Sequence, residues 1–281
     1  MSPAILLALA LAPGADPLGK KSYGPAYIRP EAPFGYLYQP AYDLNLVART
    51  PATRYEPQAG DILLLSDTNL FWTSLYLIAA SGKPGHSGVV ARMPDGRFGV
   101  LEAGYSDGLW TRLTPLDYRI NNYPGTVWVR RPRVPLTPEQ DAALAHFAAL
   151  AADQPYDKVG FALQITPFRA RGPIRTAFVG KVRGPGHRYF CAQVVIEALV
   201  EAGRIDPQTA RPAATYPRDL FFDRSINLYV NRHPPLAGGW DAPALWTAEI
   251  GSTAQGKDRP PVGVYTPPPP LAPGTTARFP R

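Results

Sequence analysis

Glycine and proline punctuate this 281-residue chain so densely, at 25 and 34 residues, that long regular elements are largely forbidden and turns must join short ones. One run escapes this rule. Between Tyr189 and Ala202 no helix breaker occurs, and Cys191, Val194, Val195, Ala198 and Ala202 recur at the three- and four-residue spacing of one helical face, with Gly203 closing the run. Gly184, Pro185 and Gly186 bar a longer helix upstream, so Cys191 falls in the first turn. Free backbone N–H groups and the helix dipole favour an anion at that place. A thiol there reads as a nucleophile. The competing reading is a small buried hydrophobe, because free cysteine is among the most buried residue types.

Cys191 is the only cysteine, which excludes an intramolecular disulfide and any thiolate-rich zinc site. The composition, 45% hydrophobic and 18% charged, is that of a globular chain with a sizeable core. A formal charge of +7 is spread over arginines without a lysine-rich block. A nucleic-acid partner is therefore not expected, since such proteins cluster their basic residues on one face. Attraction to an anionic polymer or membrane surface gains little support from the sequence.

Residues 1–16 contain an apolar stretch, Ala4 to Ala12, followed by small residues, which resembles a secretory signal although no Lys or Arg precedes it. At about nine apolar residues it is too short to span a bilayer, so no stable membrane insertion is expected. The alternatives are export to the periplasm or cell envelope and a cytoplasmic protein with a frayed N-terminus. Residues 17–57, rich in Pro and Tyr, read as an arm wrapping a core, and 58–223 as the main domain. Residues 224–256 form a C-terminal extension, and 257–281 a Pro-rich tail unable to bury enough apolar surface to fold.

Within the main domain, Gly60–Asp61 turn into the apolar strand Ile62–Leu65, and Leu70–Ala80 reads as a short helix. Ser87–Met93 and Arg97–Ala103 flank Pro94–Asp95–Gly96, a hairpin signal. Thr126–Arg131 is a further strand. Thr137, Pro138 and Gln140 spell an N-cap, a first-turn proline and a capping-box partner, and Leu144, Phe147, Ala148 and Ala151 face inward behind them. Residues 155–188 read as loop. The class is α+β, an antiparallel sheet packed against helices.

A thiolate needs a base, and four histidines are available. His146 is simplest as a solvent-side helix residue, His187 sits in an irregular Gly-Pro-Gly loop, and His233 precedes two prolines near the tail. His86 differs, because it opens the first hairpin strand, a rigid place from which to aim an imidazole. A turn at 94–96 pairs residues whose numbers sum to about 190, which sets Glu102 opposite Gly88, one same-face step from His86 and about 7–8 Å away diagonally. Gly88 leaves room for a His–Glu contact. Glu102 then orients His86, and His86 serves Cys191. The competing reading leaves Glu102 facing solvent, as half of a strand's side chains do.

Taken in order, Gly60–Asp61, His86–Ser87–Gly88, Glu102–Ala103, Tyr156–Asp157, Tyr189–Phe190–Cys191–Ala192 and Pro217–Arg218–Asp219–Leu220 resemble the motifs of the circularly permuted branch of the papain-like, NlpC-type cysteine hydrolases. The resemblance spans residues 58–223. It departs from the family in placing the tyrosine one residue farther from the cysteine and in a long basic insertion, 158–188. It implies a permuted papain-like fold, with Cys191 as nucleophile at a helix start, His86 as base and Glu102 as third member. Tyr189 and Tyr156 would border the substrate pocket, or else be plain core. No cofactor and no metal are implied, and four scattered histidines lack metal-ligand spacing such as HExxH.

The resemblance implies a cysteine amidase or peptidase working through an acyl-thioester on a small peptide, a cell-wall-derived substrate or an amidated amino acid. The alternatives are a lipid acyltransferase or thioesterase with the same triad, as in lecithin–retinol acyltransferase-like proteins, and a binding scaffold without turnover.

Overall fold

A computed structural model describes residues 32–39, 52–66, 81–104, 109–164, 166–171, 175–222 and 238–248, together with Ser74, Leu77 and Leu236. The expected signal-like segment, the body of the 70–80 helix, His233 and the Pro-rich tail lie outside the described residues. Eight strands form one antiparallel sheet: β1 Tyr36–Tyr38, β2 Thr53–Arg54, β3 Ile62–Ser66, β4 His86–Arg92, β5 Phe98–Gly104, β6 Trp110–Pro115, β7 Thr126–Arg130 and β8 Ala244–Thr247. Their order is β2-β1-β8-β7-β3-β4-β5-β6. Helices α1 Leu116–Asn121, α2 Pro138–Ala151, α3 Lys158–Leu163, α4 Arg175–Phe178, α5 Cys191–Glu201 and α6 Pro217–Phe222 complete the described elements, with a 3-10 turn at Pro212–Ala214. The class is α+β, as expected.

Strand alternation divides the core in two. Ile62, Leu64, Val89, Ala91, Leu101 and Ala103 meet α2 and α5 on one face. Leu63, Leu65, Val90 and Val100 meet Leu116 and Ile120 of α1 on the other. The α5 helix crosses β4 and β5 and is buried on every side from Cys191 to Leu199, polar Gln193 and Glu197 included. The expected single apolar face therefore understates it: this is a central helix, whose Val, Ile and Leu side chains contribute roughly 1.5–3 kcal/mol each by burial.

The hairpin register is the one expected, with Val89 opposite Leu101 and Val90 opposite Val100. Its turn closes through Met93 N to Arg97 O and Gly96 N to Met93 O. At Gly60 the chain turns with φ +87°, and an added Cβ would meet Leu136 at 2.7 Å, so only glycine suits the approach to β3.

Several elements differ from expectation. The described part of 17–57 supplies β1 and β2, and the C-terminal extension supplies β8, which sits between β1 and β7. Tyr55 anchors this region by donating its hydroxyl to Asp61 at 2.9 Å, where Gln58 N also donates. Burial raises the Asp61 carboxyl to about 6 against the opposing pull of Arg131, so Asp61 serves the turn. The 155–188 stretch contains α3 and α4 instead of loop alone, and β6 with α1 follows the hairpin.

The capping box at α2 forms as read: Gln140 N donates to the Thr137 hydroxyl, and Thr137 N donates to the Gln140 side chain. Replacing Thr137 by Ala should lower Tm by about 2–4 °C, the effect of about 1 kcal/mol in a domain of this size, measurable by thermal melting followed by circular dichroism.

Candidate active site

The start of α5 is unusual in what it lacks. Its N-cap is Phe190, which offers no side-chain hydrogen bond, so the first-turn amides beside Cys191 are uncapped by any side chain. The preceding loop is held from two sides. The Glu197 carboxylate accepts Arg183 N and Gly184 N at 3.0–3.1 Å, and the Tyr189 hydroxyl donates to Gly184 O at 2.6 Å. Burial lifts Glu197 to about 7 against these amide bonds. Both contacts fix the backbone that delivers Cys191.

The Cys191 thiol interacts with the His86 imidazole. His86 Nε2 lies 2.7 Å from Glu102 Oε2. All three side chains are buried, with Cys191 only 6% exposed. Gly88 explains how two such residues fit on neighbouring strands. An added Cβ there would overlap Val100 at 2.6 Å and press on the Glu102 Cβ at 3.3 Å, so the strand carries no side chain at that point.

The structure adds one group that sequence reading missed. Arg119, on α1, donates from Nη2 to Glu102 Oε2 at 2.9 Å and places Nε 2.6 Å from Oε1, a forked grip on the carboxylate. A signal existed: Leu116, Arg119 and Ile120 share the buried face of α1, and a cation on a core-facing stripe demands a buried acid. Strand parity supplies it, since Glu102 projects to the face that α1 covers.

Electrostatics follow from this geometry. Burial raises Glu102, but the charge of Arg119 and the hydrogen bond and charge of His86 outweigh it, bringing the carboxyl down to about 2. Burial likewise lowers His86, yet hydrogen bonds to Cys191 and Glu102, with their charges, push it up to about 9. An ionised Glu102 has no proton to give, so His86 Nε2 donates, and the ring's orientation and tautomer are fixed.

A narrow cleft beside the thiol, with room for about one water, is lined by Ser81, Phe161, Gln164, Phe190, Cys191, Tyr216 and Pro217. Its far wall is braced by a polar chain. Tyr216 donates its hydroxyl to Gln164 Oε1 at 2.9 Å, and Gln164 donates to Ala213 O at 3.2 Å. Asp219 accepts Tyr216 N at 2.9 Å and Arg171 Nη2 at 3.1 Å, while the Arg171 guanidinium stacks 3.9 Å over the Tyr216 ring. Burial pushes Tyr216 up to about 12.

The structure thus brings Cys191, His86 and Glu102 together and leaves the two expected pocket tyrosines apart. Tyr189 is fully buried against Phe147, burial lifting its hydroxyl to about 12, and the neighbouring Phe190 lines the cleft in its place. Tyr156 is buried and bridges to Tyr189 through the backbone. His146 and His187 are exposed, unlike the buried His86. Among the described residues, no group of three or more His, Cys, Asp or Glu could hold a metal ion, and no helix is long and apolar enough to cross a membrane.

The pair carries a definite pH signature. His86 is raised from 6.5 to about 9, so its stabilisation is complete below 6.5 and is lost as pH rises through 9. Glu102 is lowered from 4.5 to about 2, so its contribution is complete above 4.5 and is lost as pH falls through 2. Urea unfolding should show wild-type stability declining between about pH 6.5 and 9, a decline absent from His86→Gln. Arg119→Met removes one partner of a buried pair and should cost about 3–5 kcal/mol in the same measurement at neutral pH.

No family model matches this chain, and no curated protein matches it in sequence. Among solved structures it is similar to the metalloprotein yiiX from Escherichia coli O157:H7, DUF1105, with a TM-score of 0.40 and 21% identity. The match covers 69% of this chain and 99% of that one.

Proposed function

We propose that this protein is a cysteine-dependent hydrolase of amide or peptide bonds, built on a permuted papain-like framework. The observation that carries the reading is the convergence of the Cys191 thiol and the Glu102 carboxylate on one buried imidazole. Purely structural packing gives no reason to bury a thiol, an imidazole, a carboxylate and a guanidinium in one contact chain. The order His86, Glu102, Cys191 along the sequence, with the cysteine at the first position of a central helix, accords with the permuted family pattern.

The chemistry follows from the groups in place. His86 takes the Cys191 thiol proton, the sulfur attacks the substrate carbonyl carbon, and the developing oxyanion meets the uncapped amides at the α5 start. His86 gives its proton to the departing nitrogen as the C–N bond breaks, leaving an acyl-thioester on Cys191. Water then attacks the thioester. His86 takes the water's proton, the C–S bond breaks, and a carboxylic acid leaves with the thiolate restored. Glu102 stays ionised throughout, holding the imidazole in line, while Arg119 holds Glu102.

A second reading, acyl transfer from esters or thioesters, draws support from the cleft. Phe161, Phe190, Tyr216 and Pro217 beside the thiol give it apolar walls suited to an acyl chain.

Iodoacetamide labelling across pH tests the shared chemistry. Wild-type Cys191 should be alkylated rapidly well below pH 8, and His86→Ala should abolish that acid-side reactivity. Glu102→Gln should reduce it partially. Labelling that follows an ordinary free thiol in the wild type would refute the hydrolase reading and favour a scaffold. Release of amine from peptide amides and muropeptides, set against release of thiol from short-chain thioesters, separates the two substrate classes. Amide turnover should fall at least ~10³-fold in Cys191→Ala.

A further inference from the structure

The basic insertion is where the molecule departs furthest from ordinary surface chemistry. From residue 158 to 188 the sequence contains no Asp or Glu. Beyond Arg171, which Asp219 engages in the interior, it carries Lys158, Arg169, Arg175, Lys181, Arg183 and Arg188. The same segment exposes large apolar side chains. Phe178 is 74% and Phe168 69% exposed, and Val159 with Leu163 forms an exposed stripe one turn apart on α3. Scattered exposed apolar residues need no explanation. Five of them, counting Val179, within one acid-free segment call for one.

Their position adds the functional link. The α3 helix bearing Val159 and Leu163 also sends Phe161 into the wall of the Cys191 cleft, beside Gln164. Arg175 of α4 donates to Pro167 O, next to Phe168, and Thr176 O accepts Arg211 at 2.8 Å, tying α4 to the segment that leads into Tyr216. Phe222, at the end of α6, is also exposed, and that helix begins at Pro217 of the cleft. The apolar and basic groups are therefore carried by the elements around the mouth of the thiol cleft.

We propose that this rim is a docking surface for an anionic lipid bilayer. Apolar side chains entering the headgroup boundary and cations meeting acidic headgroups are the two components of reversible interfacial binding. Charge complementarity selects this occupant: the 158–188 segment is cationic without a carboxylate, and its projecting Phe side chains would be wasted on a purely hydrophilic polyanion. Docked this way, the cleft opens toward the headgroup layer and would receive an amphiphile whose scissile carbonyl lies at that depth. The substrate part of this inference rests on the hydrolase reading, whereas the docking part does not.

Co-sedimentation of the full chain with vesicles decides it. Phosphatidylcholine vesicles containing about 30% phosphatidylglycerol should bind at least ~10-fold more tightly than phosphatidylcholine alone, with binding weakened by salt. The exposed pair Phe168→Ser and Phe178→Ser should weaken that binding ~10-fold or more, and so should Lys181→Glu with Arg188→Glu. Both double variants should keep the wild-type circular dichroism and the wild-type rate of Cys191 alkylation in solution. Absence of vesicle binding, equal binding to neutral vesicles, or binding untouched by the Phe replacements would overturn the proposal. So would full displacement by soluble dextran sulfate, which would identify a hydrophilic polyanion as the partner. Cys191→Ala should bind vesicles like wild type while losing turnover, and a wild-type protein that binds vesicles but turns over no amide counts against the hydrolase reading alone.

Discussion

Glu102 can be buried as a carboxylate only because two cations share it. One oxygen takes the His86 ring and an Arg119 Nη, and the other takes Arg119 Nε. Removing a single carboxylate from water costs several kcal/mol even after relaxation, and that cost is offset only by close, well-directed partners. The arrangement therefore serves the imidazole more than the fold. A hydrophobic residue at 102 would bury at less expense, but it could neither hold a protonated His86 nor fix the orientation of its ring.

Sheet parity makes the arrangement possible. Leu101 and Ala103 point to α5, so Glu102 between them points to the opposite face, where α1 packs with Leu116 and Ile120. A carboxylate on the α5 face would have met only the apolar flank of that helix. The imidazole opens β4 at the end of the sheet, where it can touch Glu102 on one side and the first residue of α5 on the other. A slip of one residue in the β4–β5 pairing would turn Glu102 toward α5 and separate all four groups.

This logic also explains what could be read in advance. The hairpin register, the α2 capping box and the Cys191 helix start each depend on neighbours within a few residues: Pro94–Asp95–Gly96 fixes the turn, Thr137 and Gln140 the cap, and Gly184 to Gly186 the helix limit. Other elements lack local cause. Tyr36–Tyr38 is a strand because it pairs with Ala244–Thr247, more than 200 residues away, and three residues carry no readable period. The α3 helix had a local cue that motif reading absorbed: Asp157 caps it by accepting Gly160 N at 2.7 Å, while Tyr156–Asp157 read as a sequence motif in loop. Tyr189 illustrates the reverse error. Adjacency to the nucleophile suggested a pocket wall, but its extended backbone sends the ring into the core and leaves Phe190 in the cleft.

The two halves of the cleft are built by different means. On one side stand strands and a helix buried on all sides, held by continuous apolar contact. On the other stand α3, α4 and α6, each four to six residues long, too short to be stable from their own hydrogen bonds. The chain Arg171–Asp219–Tyr216–Gln164–Ala213 holds α3 and α6, and Arg211, donating to Thr176 O, holds α4. Polar anchoring of that kind lets a wall carry exposed phenylalanines and basic side chains without a large apolar base beneath it. The nucleophile is thus fixed by the deep core, and the surface around it is left open to a chemistry chosen by what the protein must touch.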